Sequence, residues 1–311
     1  MWSLFAAFVA AALLVDFFAM SKQGAHRVSI KEAAVWSLIW VAVSFVFMTG
    51  LWFYLDSNVS REVANTKGLE FLTGYLIEKS LAVDNIFVFL MIFGFFAVPA
   101  EYQRRVLIYG VIGAIVMRAI MILAGAWLVQ EFHWILYVFG AFLVVTGIKM
   151  LMFAEAKPDL ARNPLLNGIK RHMRLTPDYR GEKFWVYENG VRVFTPLFLV
   201  LIMIELSDLI FAVDSIPAIF AITTDPFIVF TSNIFAILGL RAMYFMLAGM
   251  ADRFHLLKYG LAMVLVFVGT KMLIVDFYKI PVGLSLGIVG LIIATFMFAS
   301  LWVTRNKAAP L

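Results

Sequence analysis

Five carboxylates stand where a membrane helix ordinarily carries none. Glu78 and Asp84 fall inside an apolar stretch running from about residue 70 to 98, and Glu205, Asp208 and Asp214 inside another from about 194 to 222. A carboxylate at the centre of a spanning helix costs about 2.5–3.5 kcal/mol on the insertion scale. Five of them approach roughly 15 kcal/mol, comparable to the stability of a whole fold. Helix packing needs none of them, so protonation, ion pairs or a bound cation must compensate. Oxygen ligands gathered in this way suit a hard divalent ion such as Mg²⁺, Ca²⁺ or Mn²⁺. Zinc and copper sites usually recruit thiolate or imidazole, but the chain has no cysteine and its His133 and His255 sit at loop–helix junctions away from the acids. Residue type does not choose among the three hard ions, although a thioether from nearby Met203 would favour manganese.

The neighbours of these acids define the rest of the candidate site. Glu205 and Asp208 are three residues apart and share a helix face. Asp208 and Asp214 are separated by about 240° on an ideal helix. Pro217 cannot donate to the carbonyl of Val213, so a kink beside Asp214 is expected, with freed carbonyl oxygens as further ligands. The first stretch has Phe87 in place of that proline, but Asn85 follows Asp84 and offers an amide oxygen. The metal-binding set is thus Glu78, Asp84, Asn85, Glu205, Asp208 and Asp214, supported by Lys79, Arg118, Arg241 and Ser215. Arg118 and Arg241 are the other deep charges and pair with the carboxylates, either permanently or while the ion is absent. Lys79 serves as a local counter-charge to Glu78.

The elements that must hold these residues are membrane helices. The chain is 63% hydrophobic and 14% charged, whereas a soluble domain carries about 25% charged residues. Nine apolar segments qualify as spans, at about 1–20, 34–55, 70–98, 106–129, 134–153, 194–222, 228–250, 257–275 and 281–303. The first lacks a basic leader and keeps Asp16, so it reads as a retained helix. Lys22, Arg27, Lys31, Arg104, Arg105, the basic residues between Lys157 and Arg192, Arg253, Lys258, Arg305 and Lys307 all fall on one side. Arg61, Lys67 and Lys279 fall on the other. The positive-inside rule puts the N-terminus outside and the C-terminus in the cytoplasm. The net charge of +5 therefore reads as an orientation signal, and no nucleic-acid partner is expected.

The chain also repeats itself. HWILYVFGAFLVVTGIKML from His133 aligns without gaps to HLLKYGLAMVLVFVGTKML from His255; Arg118-Ala119 matches Arg241-Ala242, and Ala82-Val83-Asp84 matches Ala212-Val213-Asp214. Each copy holds three spans, an odd number, so the second enters the membrane from the opposite side. The expected fold is an all-α polytopic membrane protein with nine transmembrane helices and an inverted repeat of two three-helix units, the site lying where the copies meet. Lys149 and Lys271 are expected to snorkel to opposite interfaces. The organisation is two N-terminal helices in 1–60, the first repeat in 61–153, a cytoplasmic linker in 154–193 with one short helix near 160–174, the second repeat in 194–276, and a last helix with a tail in 277–311.

The stretches EKSLAVDNIFVF (78–89), ELSDLIFAVDSIPAIFAIT (205–223) and TSNIFAILGLRAMYF (231–245) resemble the TerC family of integral membrane proteins. The resemblance covers nearly the whole chain and extends to the acidic positions. It implies a bacterial inner-membrane exporter of Mn²⁺, with the acids as the translocation site and protons as a possible counter-ion. It also implies an alternative, a membrane assembly or chaperone component that helps insert or metalate other proteins through the basic linker. Oxyanion transport is disfavoured, because acids outnumber the deep arginines. No His–Glu zinc motif or nucleophile constellation appears, so an enzyme is not expected. No prosthetic group is expected; the partners are membrane lipid, the metal ion and, in a homo-oligomer, other copies of the chain.

Overall fold

The structure, a computed structural model, describes residues 2–21, 29–132, 134–152, 168, 173–248 and 256–307. The side chains of 16–21, 84, 87, 214 and 305–307 lie outside the description, as do His133, His255 and most of the expected short helix near 160–174. In chain order the elements are α1 (Trp2–Ser21), α2 (Ile30–Asn58), α3 (Arg61–Phe95), α4 (Ala100–Glu131) and α5 (Ile135–Met152). A hairpin of β1 (Trp185–Glu188) and β2 (Val191–Phe194) follows. The chain then continues through α6 (Pro196–Phe220), α7 (Pro226–Leu238), α8 (Leu240–Ala248), α9 (Leu257–Leu273) and α10 (Val282–Lys307).

Local chemistry sets the helix starts. Ser29 Oγ accepts from the Glu32 amide and Ser60 Oγ from the Val63 amide, satisfying donors that an open helix end leaves unpaired. Pro196 and Pro226 stand at first helical positions, where a missing N–H is harmless. Among the described residues, six elements are able by length and composition to cross a membrane: α2, α4, α5, α6, the α7–α8 pair and α10. The chain is therefore a polytopic helical membrane protein. Three further spans expected from the sequence fall short on those criteria for different reasons. In α1 the described side chains end at Val15, α9 has 17 residues, and the 35-residue α3 carries too many charges to look apolar.

Helix α3 is central, packed by α2, α6, α7, α8 and α10, while α4 lies against α6 and α7. The most intimate pairing is α5 with α9. A Cβ on Gly269 would stand 2.7 Å from the carbonyl oxygen of Gly140, and one on Gly147 would stand 2.8 Å from that of Ala262. These glycines are required because the two backbones touch. At the end of the bundle where α3 begins, the α6–α7 turn is tied to α3. Glu70 accepts from Lys67 at 2.9 Å and from the Thr223 hydroxyl at 2.7 Å, and Lys67 also pairs with Asp225 at 3.2 Å. On the other side, the Tyr179 hydroxyl donates to the Phe96 carbonyl at 2.7 Å, and burial pushes its pKa up to about 12.

Three expectations need correction. The polar connection contains an antiparallel hairpin, so the described chain is not purely helical. Its turn residues Asn189 and Gly190 both have positive φ, 50° and 76°, as a tight two-residue hairpin turn requires. Pro217 does not interrupt α6, which continues to Phe220, because the proline stands in the last turn where few backbone bonds remain to break. The interruption occurs instead at Gly239, between α7 and α8. Finally, Lys149 is exposed but Lys271 is packed inside, 8% exposed, rather than snorkelling.

Gly269→Val should destabilise the protein by roughly 1–3 kcal/mol, the usual cost of overpacking, and lower its melting temperature in detergent. Gly50→Ala, where the added carbon meets nothing within 4 Å, should melt no lower than the parent chain.

Candidate functional site

Seven residues make about two helical turns, short by only some 20°. Glu78 and Asn85 on α3 are seven apart, as are Asp208 and Ser215 on α6, so each pair lies along one helix face. The two faces meet, and α4 and α7 add Arg118 and Asn233 between them. The Arg118 guanidinium forks onto Asp208, Nη2 donating to Oδ1 at 3.1 Å and Nε to Oδ2 at 3.3 Å. Its Nη1 donates to Glu78 Oε1, to Asn233 Oδ1 at 3.1 Å and to Ser215 Oγ at 3.3 Å. Asn233 Nδ2 closes the circuit by donating to Glu78 Oε2 at 3.2 Å, and Asn85 Nδ2 donates to Asp208 Oδ1 at 3.2 Å.

None of this is open to solvent. Arg118 and Glu78 are each 1% exposed, and Asp208, Asn85, Ser215 and Asn233 are buried too. A buried charge is tolerated only when paired and fully hydrogen-bonded, and here two carboxylates share one guanidinium. The amide orientation of Asn85 follows from the Asp208 carboxylate, which only the NH₂ end can face favourably. That leaves Asn85 Oδ1 enclosed and, among the described residues, without a donor. A cavity of about 30 Å³ touches Glu78, Asn85, Arg118 and Ser215; a second, of about 10 Å³, touches Asp208. The first, walled by Leu81, Met150, Phe211 and Leu265 as well as by these four polar residues, is large enough for water, which needs about 10–15 Å³.

The other expected site residues are placed differently. Glu205 stands one turn before Asp208 with its carboxylate pressed against Gly113 of α4, and its Oε2 is enclosed without a hydrogen bond among the described residues. Lys79 does not serve simply as a counter-charge to Glu78. Its Nζ donates to the Ala236 carbonyl at 3.3 Å, beside Gly239, satisfying backbone freed where α7 ends. Arg241 is buried on α8. The side chains of Asp84 and Asp214 lie outside the description. Among the described residues no three acidic or histidine side chains gather to hold a metal. Asn233 was missed by the sequence reading, although the polar run Thr231-Ser232-Asn233 inside an apolar helix was available as a signal. Glu70 escapes the sequence reading because it stands at the edge of the apolar stretch expected from about residue 70, although α3 itself begins at Arg61.

Known proteins give this constellation a context. Residues 63–308 match the family described as "Integral membrane protein TerC family". A Photorhabdus laumondii protein named "Putative membrane-bound redox modulator Alx" is 56% identical over 308 residues, covering 99% of this chain and 96% of the relative. An Escherichia coli K12 protein of the same name is 57% identical over 304 residues, 97% of this chain and 94% of that one. A Myxococcus xanthus protein named "Uncharacterized membrane protein STKORF319" is 48% identical over 306 residues, 98% and 93% of the two chains. No solved structure matches.

Arg118→Met should cost about 3–5 kcal/mol, since it strands two buried carboxylates. Adding Glu78→Gln and Asp208→Asn should recover much of that loss. Unfolding measured across the mutant cycle checks it; additive losses would mean the three side chains do not depend on one another.

Proposed function

The chain belongs to the TerC family of integral membrane proteins, and from that premise we propose that it exports a divalent cation, Mn²⁺ foremost, across the bacterial inner membrane. The observation that carries the reading is the meeting of Glu78 and Asp208, carboxylates at matching positions of the two repeats, on one buried guanidinium. Arg118 acts as the resident cation. It satisfies both acids while no ion is bound, and an arriving ion takes its place. Asn85 Oδ1, enclosed and without a donor among the described residues, supplies a neutral oxygen ligand beside the carboxylates. Asp84, Asp214 and Glu205 complete an oxygen-only site of the kind that hard divalent ions prefer. Residue chemistry supports the class of ion; family resemblance supports manganese within that class.

The inverted repeat is part of the same proposal, and contact reciprocity supports it. The offset that carries Glu78 onto Asp208 also carries Asn85 onto Ser215. Asn85 bonds Asp208, and Ser215 shares a guanidinium nitrogen with Glu78. Likewise, the offset that matches Gly147 with Gly269 matches Gly140 with Ala262. The close approaches are Gly140 to Gly269 and Gly147 to Ala262. Exchanging the copies maps each interface onto itself, which is the behaviour of a two-fold relation. Two such halves rocking about a shared site give alternating access. The small cavities on the network fit a state closed to both sides. The N-terminus is outside and the C-terminus cytoplasmic on this reading, with membrane potential or proton exchange driving export.

The relatives' printed name points to redox modulation. A chain without cysteine carries no thiol–disulfide couple of its own, so a redox effect would follow here from control of a metal. The assembly or chaperone reading predicts that the basic segment 154–193 outweighs the acids in importance.

In cells challenged with excess manganese, Glu78→Gln, Asp208→Asn, Asp84→Asn and Asp214→Asn should each cut export by an order of magnitude or more and raise cellular manganese. Deleting residues 154–170 should cost far less. Unchanged metal content in the acid variants, with loss of function on deletion, would favour the assembly role.

A further inference from the structure

The β1–β2 hairpin presents a face that the membrane helices do not cover. Its register pairs Trp185 with Phe194 and Tyr187 with Arg192, and paired residues of an antiparallel ladder share a face. One side of the hairpin therefore carries Trp185, Tyr187, Arg192 and Phe194, and the other Val186, Glu188, Val191 and Val193. Tyr187 is 72% exposed and Trp185 43% exposed, a large aromatic surface for so short a ribbon. The Arg192 guanidinium lies over two of the three rings of the row, 4.2 Å from the Trp185 centroid and 5.0 Å from that of Phe194. Phe194 in turn stacks on Phe198, in the first turn of α6, with centroids 4.7 Å apart and planes inclined by 19°.

That last contact fixes where the face is. Helix α6 is among those able to cross the membrane, and it begins at Pro196. The aromatic row thus runs without a gap from a membrane-crossing helix onto the hairpin, at the level where hydrocarbon gives way to headgroups. Indole and phenol rings favour that level, having one apolar and one hydrogen-bonding end. The charge is complementary as well. Arg192, Lys183 and Arg174 are exposed, and the Phe194 amide donates to the Arg174 carbonyl, which keeps that residue beside β2. The acidic Glu188 is paired with Arg180 at 3.4 Å.

We propose that this hairpin is a lipid-binding element, seated on the membrane surface by Trp185 and Tyr187 and holding anionic headgroups on Arg192, Lys183 and Arg174. Stacking on two rings holds the guanidinium plane in place, leaving its edge to donate to phosphate oxygens. The partner is the phospholipid headgroup, and the assignment does not depend on which ion the protein moves.

The absence of cysteine makes a direct test simple. A nitroxide on Tyr187→Cys, in the full chain reconstituted in nanodiscs, reports collision with oxygen, which concentrates in lipid, and with a nickel chelate, which stays in water. Oxygen should dominate when phosphatidylglycerol is mixed into phosphatidylcholine. That preference should weaken in phosphatidylcholine alone, and Arg192→Gln should abolish the dependence on lipid charge. A label on Asn189→Cys, at the turn, serves as the comparison. Dominance of the nickel chelate in both lipid mixtures would overturn the proposal. A label shielded from both reagents would overturn it in favour of a protein partner. Identical depth in both mixtures would overturn recognition of the headgroup charge.

Discussion

Burial of two carboxylates around a single guanidinium constrains the rest of the molecule. Glu78, Asp208 and Arg118 come from α3, α6 and α4, so no one helix can shift without opening a charge to a medium that cannot solvate it. Asn85, Ser215 and Asn233 complete the hydrogen bonds, drawing α7 into the same arrangement. Such a network is weak evidence for stability, since a well-packed apolar replacement is often as good. Under the proposed function its cost is offset by exchange, one cation giving way to another at the same oxygens.

Two helix contacts differ in kind. At the α5–α9 contact, glycine lets backbones touch, and the pairing is close and apolar. At the α3–α6 contact, the pairing is ionic and borders the small cavities. The tie of Lys67, Glu70, Thr223 and Asp225 lies at the end where α3 begins, far along that helix from the Phe96 carbonyl that accepts from Tyr179. Both ends of the central helices are therefore held by polar contacts outside the apolar interior.

Much of this was legible in the residues alone. Charges inside apolar runs announce themselves by their cost, and Glu78, Asp208 and Arg118 stand out on that ground. Attention to the six-residue spacing between acids obscured the seven-residue spacing that puts Asn85 and Ser215 on the meeting faces. Asn233 carries no charge and so raised no alarm, though its amide bridges Glu78 and Arg118. Lys79 looked like a counter-charge because its sequence neighbour is an acid; only the fold reveals a broken helix end within its reach. The hairpin was readable from alternation around Asn189-Gly190, but lay in a segment whose charge and proline content suggested a plain linker. Pro217 was given too much weight, because proline matters less near the end of a helix than in its middle.

Export through this site requires a metal ion to take the place of Arg118. Diffraction from crystals grown with Mn²⁺, collected at the manganese absorption edge, locates the ion by its anomalous signal. The account predicts one peak within coordinating distance of the Glu78 and Asp208 carboxylates, with the guanidinium moved off Asp208. A peak elsewhere in the chain, with the Arg118 fork on Asp208 intact, would contradict it.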